Sequence, residues 1–146
     1  MLVALAMDPV GSRGSTTERI VTDWHTGLAI GGYDPVAFYT DRKPILGSSE
    51  VELSYGGAVW RFANIGNRAA FAANPEVYTP QFGGYDPIGV AHGIAVPGNP
   101  EIWTIVGVSL FLFRDQTRLQ TFLSDPGRFN AAAEHKWPEL LQTLTR

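Results

Sequence analysis

The sequence contains no cysteine in 146 residues, and this absence removes several classes of chemistry at once. Disulfide bonds, thiolate zinc sites, cysteine-held iron–sulfur clusters and cysteine nucleophiles are all excluded. Charged residues are also scarce, at 17% against the roughly 25% typical of soluble domains, and the net charge is −3. Because no basic stripe is present, the sequence predicts no nucleic-acid-binding surface.

Long hydrophobic runs are absent as well. The apolar run of residues 1–7 is too short to span a membrane and too short for the core of a signal peptide. It fits either the end of an export signal that starts upstream or a ragged terminus. A stretch rich in Gly, Ser and Thr follows over residues 11–18. We therefore expect a flexible lead-in over residues 1–21 and a single domain over residues 22–146.

The body of the chain repeats itself. The motif Gly-Gly-Tyr-Asp-Pro occurs at residues 31–35 and again at residues 83–87, an offset of 52. Residues 56–78 match residues 107–129 at an offset of 51, with Phe62 against Phe113 and Phe71 against Phe122. These matches predict two copies of one supersecondary unit. Two copies are too few for a solenoid.

Each copy is predicted to be a strand–strand–helix unit. Residues 51–55 and 59–62 alternate apolar and polar side chains around two glycines, which is typical of a β-hairpin. Asn64 and Asp115 then stand where a helix N-cap is expected. The prediction is an α+β fold in which both units form an antiparallel sheet with short helices packed on it.

The C-terminal residues are expected to close the core. Pro126 is a typical first residue of a helix, and the pair Trp137-Pro138 indicates that a second helix starts there. Leu140, Leu141 and Leu144 form an apolar stripe on that last helix.

Several segments resemble bacterial YHS domain-containing proteins, over roughly residues 22–142. The matching stretches are residues 27–39, 67–78, 80–85, 90–93, 103–106 and 137–140. The resemblance implies a small, often exported, metal-binding module of the heavy-metal-sensing kind. In the family pattern cysteine follows Gly-Gly-Tyr, whereas this chain has Asp86. A hard carboxylate cannot replace a soft thiolate for Cu(I), so we expect the thiolate metal site to be lost or altered.

Asp86 and His92 are the sharpest candidate pair for a site. A carboxylate and an imidazole six residues apart could form half of a site for a divalent metal ion such as Zn²⁺ or Cu²⁺. The alternative is that Asp86 caps a helix while His92 fills a half-buried position before Gly93. The paired glycines of both repeats are expected to be turns with positive φ.

Aromatic residues are dense enough to suggest a small-ligand pocket. Its expected lining is Tyr33, Gln81, Phe82, Tyr85 and Trp103, although large aromatics in a domain of this size also form the core. No catalytic residue is predicted, because paired acids and an activated nucleophile are both missing from the sequence. The first hypothesis is a non-enzymatic YHS-type binding module. There are two alternatives. One is divalent-metal binding through Asp86 and His92, and the other is a small-molecule pocket lined by aromatic residues, or a minor enzyme.

Overall fold

The computed structural model describes residues 18–144 and shows an α+β fold. The strands are β1 (Ser48–Tyr55), β2 (Ala58–Phe62), β3 (Asn99–Val106) and β4 (Ser109–Phe113). The α-helices are α1 (Ala37–Thr40), α2 (Ile65–Ala73), α3 (Pro75–Tyr78), α4 (Pro87–Ala91), α5 (Gln116–Ser124) and α6 (Pro126–Leu141). Short 3₁₀ turns lie at Ile30–Gly32 and Gln81–Gly84. No helix within residues 18–144 is long and apolar enough to cross a membrane.

The elements follow the same order twice, so we refer to residues 30–78 as the first repeat and residues 82–141 as the second repeat. In the first hairpin Ser48 lies opposite Phe62, and in the second Asn99 lies opposite Phe113. Both hairpins carry a bulge at the same place in β1 and β3. The predicted α+β class and antiparallel hairpins are confirmed. The strands form two separate two-stranded sheets, however, and not one continuous sheet.

Strand β4 brings the two hairpins together, although their edges do not pair. Phe111 and Phe113 point into the second core, around Phe122, whereas Leu110 and Leu112 point into the first core, around Phe71. Successive side chains of a strand face opposite sides, so one strand supplies both cores. The repeats therefore meet through the side chains of β4 instead of through backbone hydrogen bonds between sheets.

The two repeats end differently, because α3 stops after four residues and α6 continues for sixteen. Ala133, Leu140 and Leu144 of the C-terminal region are buried in the second core, which confirms that this region closes the core. The expected break at Trp137-Pro138 is wrong, since α6 runs through Pro138. Pro138 has no N–H to donate to the Glu134 carbonyl. Both residues are exposed, so water can hydrogen-bond to that carbonyl instead.

Residues 18–21 belong to the folded part of the chain, contrary to the expected lead-in. The Val21 N–H donates to the Gly83 carbonyl at 2.8 Å, and the Tyr85 hydroxyl donates to the Glu18 carbonyl. A side chain at Gly83 would collide with the Arg19 carbonyl oxygen, so this close approach needs glycine. The rest of the expected lead-in, residues 1–17, lies outside the described residues.

Tyr39 connects the two repeats. Its hydroxyl lies 3.0 Å from the Val77 carbonyl oxygen of the first repeat and 2.9 Å from the Val108 carbonyl oxygen of the second. Burial of the phenol disfavours the phenolate and raises the pKa of Tyr39 to about 12.

We expect Tyr39 to make the fold less stable at high pH. From about pH 10 to about pH 12 the unfolded chain loses the Tyr39 proton while the folded chain keeps it, so stability falls as pH rises. Thermal melts across this range should show a shallower decline for Tyr39→Phe than for the wild type. Equal slopes for the two proteins would contradict the assignment.

We expect Gly98→Ala to destabilise the fold by about 3 kcal/mol, as in an overpacked core. The added Cβ would lie 2.7 Å from the Gly84 carbonyl oxygen and 2.7 Å from the Leu112 Cβ. Gly127→Ala is the matched control, because a Cβ there meets nothing within 4 Å and alanine favours the helix. Urea unfolding measures both variants, and a Gly98→Ala variant as stable as the control would refute the close packing.

Candidate functional site

Asp86 is fully buried, and its carboxylate is occupied by backbone N–H groups. Oδ1 accepts from the N–H of Ile88 at 2.7 Å and of Gly89 at 3.2 Å, which caps α4. Oδ2 accepts from the N–H of Arg114 at 2.8 Å, in the loop between β4 and α5. The predicted helix-capping role of Asp86 is thus present, and the same side chain also ties α4 to the second hairpin.

Asp34 binds the start of a short helix and the loop after the hairpin in the first repeat, and it is as fully buried as Asp86. Its Oδ1 accepts from the N–H of Val36 at 2.8 Å and of Ala37 at 3.2 Å. Its Oδ2 accepts from the N–H of Ala63 at 2.7 Å and from the side-chain amide of Asn67 at 2.8 Å. Asp34 and Asp86 make corresponding hydrogen bonds in the two repeats. A structural role is therefore sufficient to explain the position of Asp86.

The second repeat adds one charge to this arrangement. Arg118 takes the place of Asn67, and its Nη1 lies 3.5 Å from Asp86 Oδ1. This nitrogen is buried without a hydrogen bond of good geometry, so its contribution is electrostatic. A cation beside a buried carboxylate offsets part of the cost of keeping it charged.

His92 lies at the end of α4 and is exposed, so the expectation of a half-buried position is wrong. Its Nδ1 is 2.8 Å from the Ile88 carbonyl oxygen, to which it donates. Asp86 points into the core while His92 faces solvent. Within residues 18–144 no group of three or more His, Asp or Glu side chains is placed to hold a metal ion.

The aromatic residues expected to line a pocket are divided between the two cores. Phe82 and Tyr85 are buried in the second core, where both rings pack against Trp137. Trp103 packs on Phe38 beside the first core, with ring centroids 5.2 Å apart. Burial raises the pKa of Tyr85 above its usual range. These side chains fill the interior of the protein, which is the alternative that the sequence left open.

Tyr33 and Gln81, the other two residues expected at the pocket, lie in corresponding turns. The Tyr33 hydroxyl donates to Glu101 Oε2 at 2.6 Å, and this hydrogen bond raises the pKa of Tyr33. Gln81 begins the 3₁₀ turn that leads into the second repeat, and it is partly buried. The Tyr33 contact joins the first repeat to β3 of the second.

A cavity of about 320 Å³ opens between Gly93, just after α4, and the last turns of α6. It is lined by Gly93, Lys136, Glu139, Leu140 and Thr143. Leu140 supplies an apolar surface, and Lys136 and Glu139 supply opposite charges. Sequence reasoning missed this site because its lining comes from two segments more than forty residues apart. The one signal was His92, which directly precedes the lining residue Gly93.

Comparison of the chain with protein-family models, with curated protein sequences and with solved structures finds no match.

We expect Asp86→Ala to destabilise the fold by at least about 3 kcal/mol, since three N–H groups lose their acceptor. Asp115→Ala removes a more exposed cap and should cost about 1 kcal/mol. Urea unfolding compares the two. A cost for Asp86→Ala no greater than the cost for Asp115→Ala would contradict a structural role.

Asp86 and His92 should not form a shared metal site, because the Asp86 oxygens are buried and hydrogen-bonded whereas His92 faces solvent. Calorimetric titration with Zn²⁺ should give the same result for the wild type and for His92→Ala, a variant of an exposed residue that keeps the fold. A saturable wild-type site that disappears in His92→Ala would support the metal hypothesis instead.

Proposed function

We propose that this protein is a non-enzymatic binding module whose ligand site is the cavity between α4 and α6. The observation that carries the proposal is the cavity itself, with an apolar surface and two opposite charges. Its volume falls within the range of about 300–1,000 Å³ typical of small-ligand sites. The resemblance to YHS domains agrees with a binding role, and the buried hydrogen bonds of Asp86 argue against a metal ion at that family's ligand position.

The lining residues indicate the class of ligand. Lys136 and Glu139, both within the described chain, form no ion pair with each other although they are three residues apart on α6. A ligand with an anionic and a cationic group can pair with both side chains, and its apolar part can contact Leu140. The cavity therefore fits a small zwitterion of the size of an amino acid.

The test is a titration with a panel of free amino acids, followed by amide chemical shifts of the ¹⁵N-labelled protein. Binding at the cavity should move the signals of Gly93, Leu140 and Thr143 together and saturate. Lys136→Met and Glu139→Gln should each weaken binding by about tenfold, as expected when one charge-assisted hydrogen bond is lost.

Lys43→Met is the matched control, because Lys43 is the other lysine of the chain and lies exposed in the first repeat. It should bind like the wild type. The proposal fails if no amino acid produces saturable shifts at these residues, or if Lys136→Met and Lys43→Met behave alike.

A further inference from the structure

The glycine turn of the second repeat already holds a short piece of backbone. Residues 18–21 lie on it, with the Val21 N–H bound to the Gly83 carbonyl at 2.8 Å and the Tyr85 hydroxyl donating to the Glu18 carbonyl. Gly83 is buried beneath this segment, which leaves no room for a side chain. The second turn thus contributes one carbonyl acceptor, one phenol donor and a close glycine surface, and the Val21 carbonyl also accepts from the Ile30 N–H at 2.8 Å.

The first repeat has the same turn in the same conformation. The φ values of Ile30, Gly31 and Gly32 are 43°, 68° and 85°, and those of Phe82, Gly83 and Gly84 are 57°, 64° and 95°. A non-glycine residue rarely has a positive φ, and here one begins each turn, at Ile30 and at Phe82. This shared feature shows that the two turns have the same backbone conformation. Tyr33 follows the first turn as Tyr85 follows the second.

The two turns differ in what covers them. Gly31 is exposed, and within the described part of the chain a Cβ built on it would approach only the ring of Tyr33, at 3.8 Å. The Tyr33 hydroxyl donates to the side chain of Glu101, whereas the Tyr85 hydroxyl donates to a backbone carbonyl. Among residues 18–144, nothing fills above Gly31 the space that Arg19 fills above Gly83.

We infer that the turn formed by Ile30–Gly32 with Tyr33 is a binding site for a peptide segment of a partner protein. The segment would sit as residues 18–21 sit on the second turn. Its N–H would donate to the Gly31 carbonyl, and one of its carbonyls would accept from the Tyr33 hydroxyl. In the segment bound to the second turn, the donating residue Val21 follows Ile20, and both are β-branched and apolar. We expect β-branched apolar residues at the corresponding positions of the partner segment.

Glu101 acts as a competitor in this arrangement. Its carboxylate accepts from the Tyr33 hydroxyl in the free protein, so a peptide carbonyl must displace it. Removal of Glu101 should therefore strengthen binding, which is a result that a purely structural Tyr33–Glu101 contact would not produce. This inference is independent of the α4–α6 cavity, because the two sites share no residue.

The test uses a capped synthetic peptide with the sequence of residues 17–22, titrated into the full ¹⁵N-labelled protein. Signals of Gly31, Gly32 and Tyr33 should shift and saturate. Shifts confined to Gly83 and Gly84 would mean that the peptide only exchanges with the chain's own segment, and this would overturn the inference.

Three variants sharpen the test. Tyr33→Phe should weaken binding by about tenfold, the loss of one hydrogen bond, and Glu101→Ala should strengthen it several-fold. Gly31→Ala should abolish binding, because its Cβ fills the space of the docked backbone. Gly107→Ala is the matched control, since Gly107 has a φ of 65° and nothing within 4 Å of a built Cβ. Equal affinity of the two alanine variants, or weaker binding by Glu101→Ala, would refute the site.

Discussion

A fully buried carboxylate organises each half of this protein. Burying a charge is costly unless hydrogen bonds replace the lost water, and Asp34 and Asp86 each find at least three N–H donors. The donors come from a short helix on one side and from the loop after a hairpin on the other. One side chain thus fixes the position of the Gly-Gly-Tyr turn relative to the hairpin. The aromatic core, the helix start and the exposed face of each turn all depend on that link.

The arrangement of the repeats follows from how each core is covered. The first core is closed by Leu110 and Leu112 of the second repeat, whereas the second core is closed by α6. Repeat proteins commonly need a distinct terminal element for this reason, because the last unit has no neighbour to cover it. In the first hairpin, Arg61 of β2 occupies the position that Leu112 occupies in β4. Arg61 pairs with Glu52 at 2.8 Å. This face of the first hairpin therefore carries a partly exposed ion pair where the second hairpin carries a buried leucine.

Local signals in the sequence predicted local structure well. The caps at Asn64, Asp86 and Asp115, the glycine turns and both hairpins follow from side-chain chemistry within a few residues. The separation into two sheets could not be predicted, because no local pattern shows which strands pair and which meet only through their side chains. Docking of residues 18–21 was hidden for the same reason, since composition alone does not reveal a partner such as Gly83.

The candidate site divides in the same way. The sequence selected Asp86 as a ligand or a cap, and only the three-dimensional position of Ile88, Gly89 and Arg114 shows that its oxygens are occupied. The aromatic residues could be recognised as important but not assigned to separate cores. The cavity beside Gly93 depends on α6 returning to α4, a tertiary contact for which no local pattern exists.

The shared strand β4 also determines how the protein loses its structure. Its phenylalanines and leucines belong to different cores, so detachment of this single strand exposes apolar surface in both halves at once. Neither half then has a complete interior with which to remain folded. We therefore expect the two repeats to unfold together, as one cooperative unit.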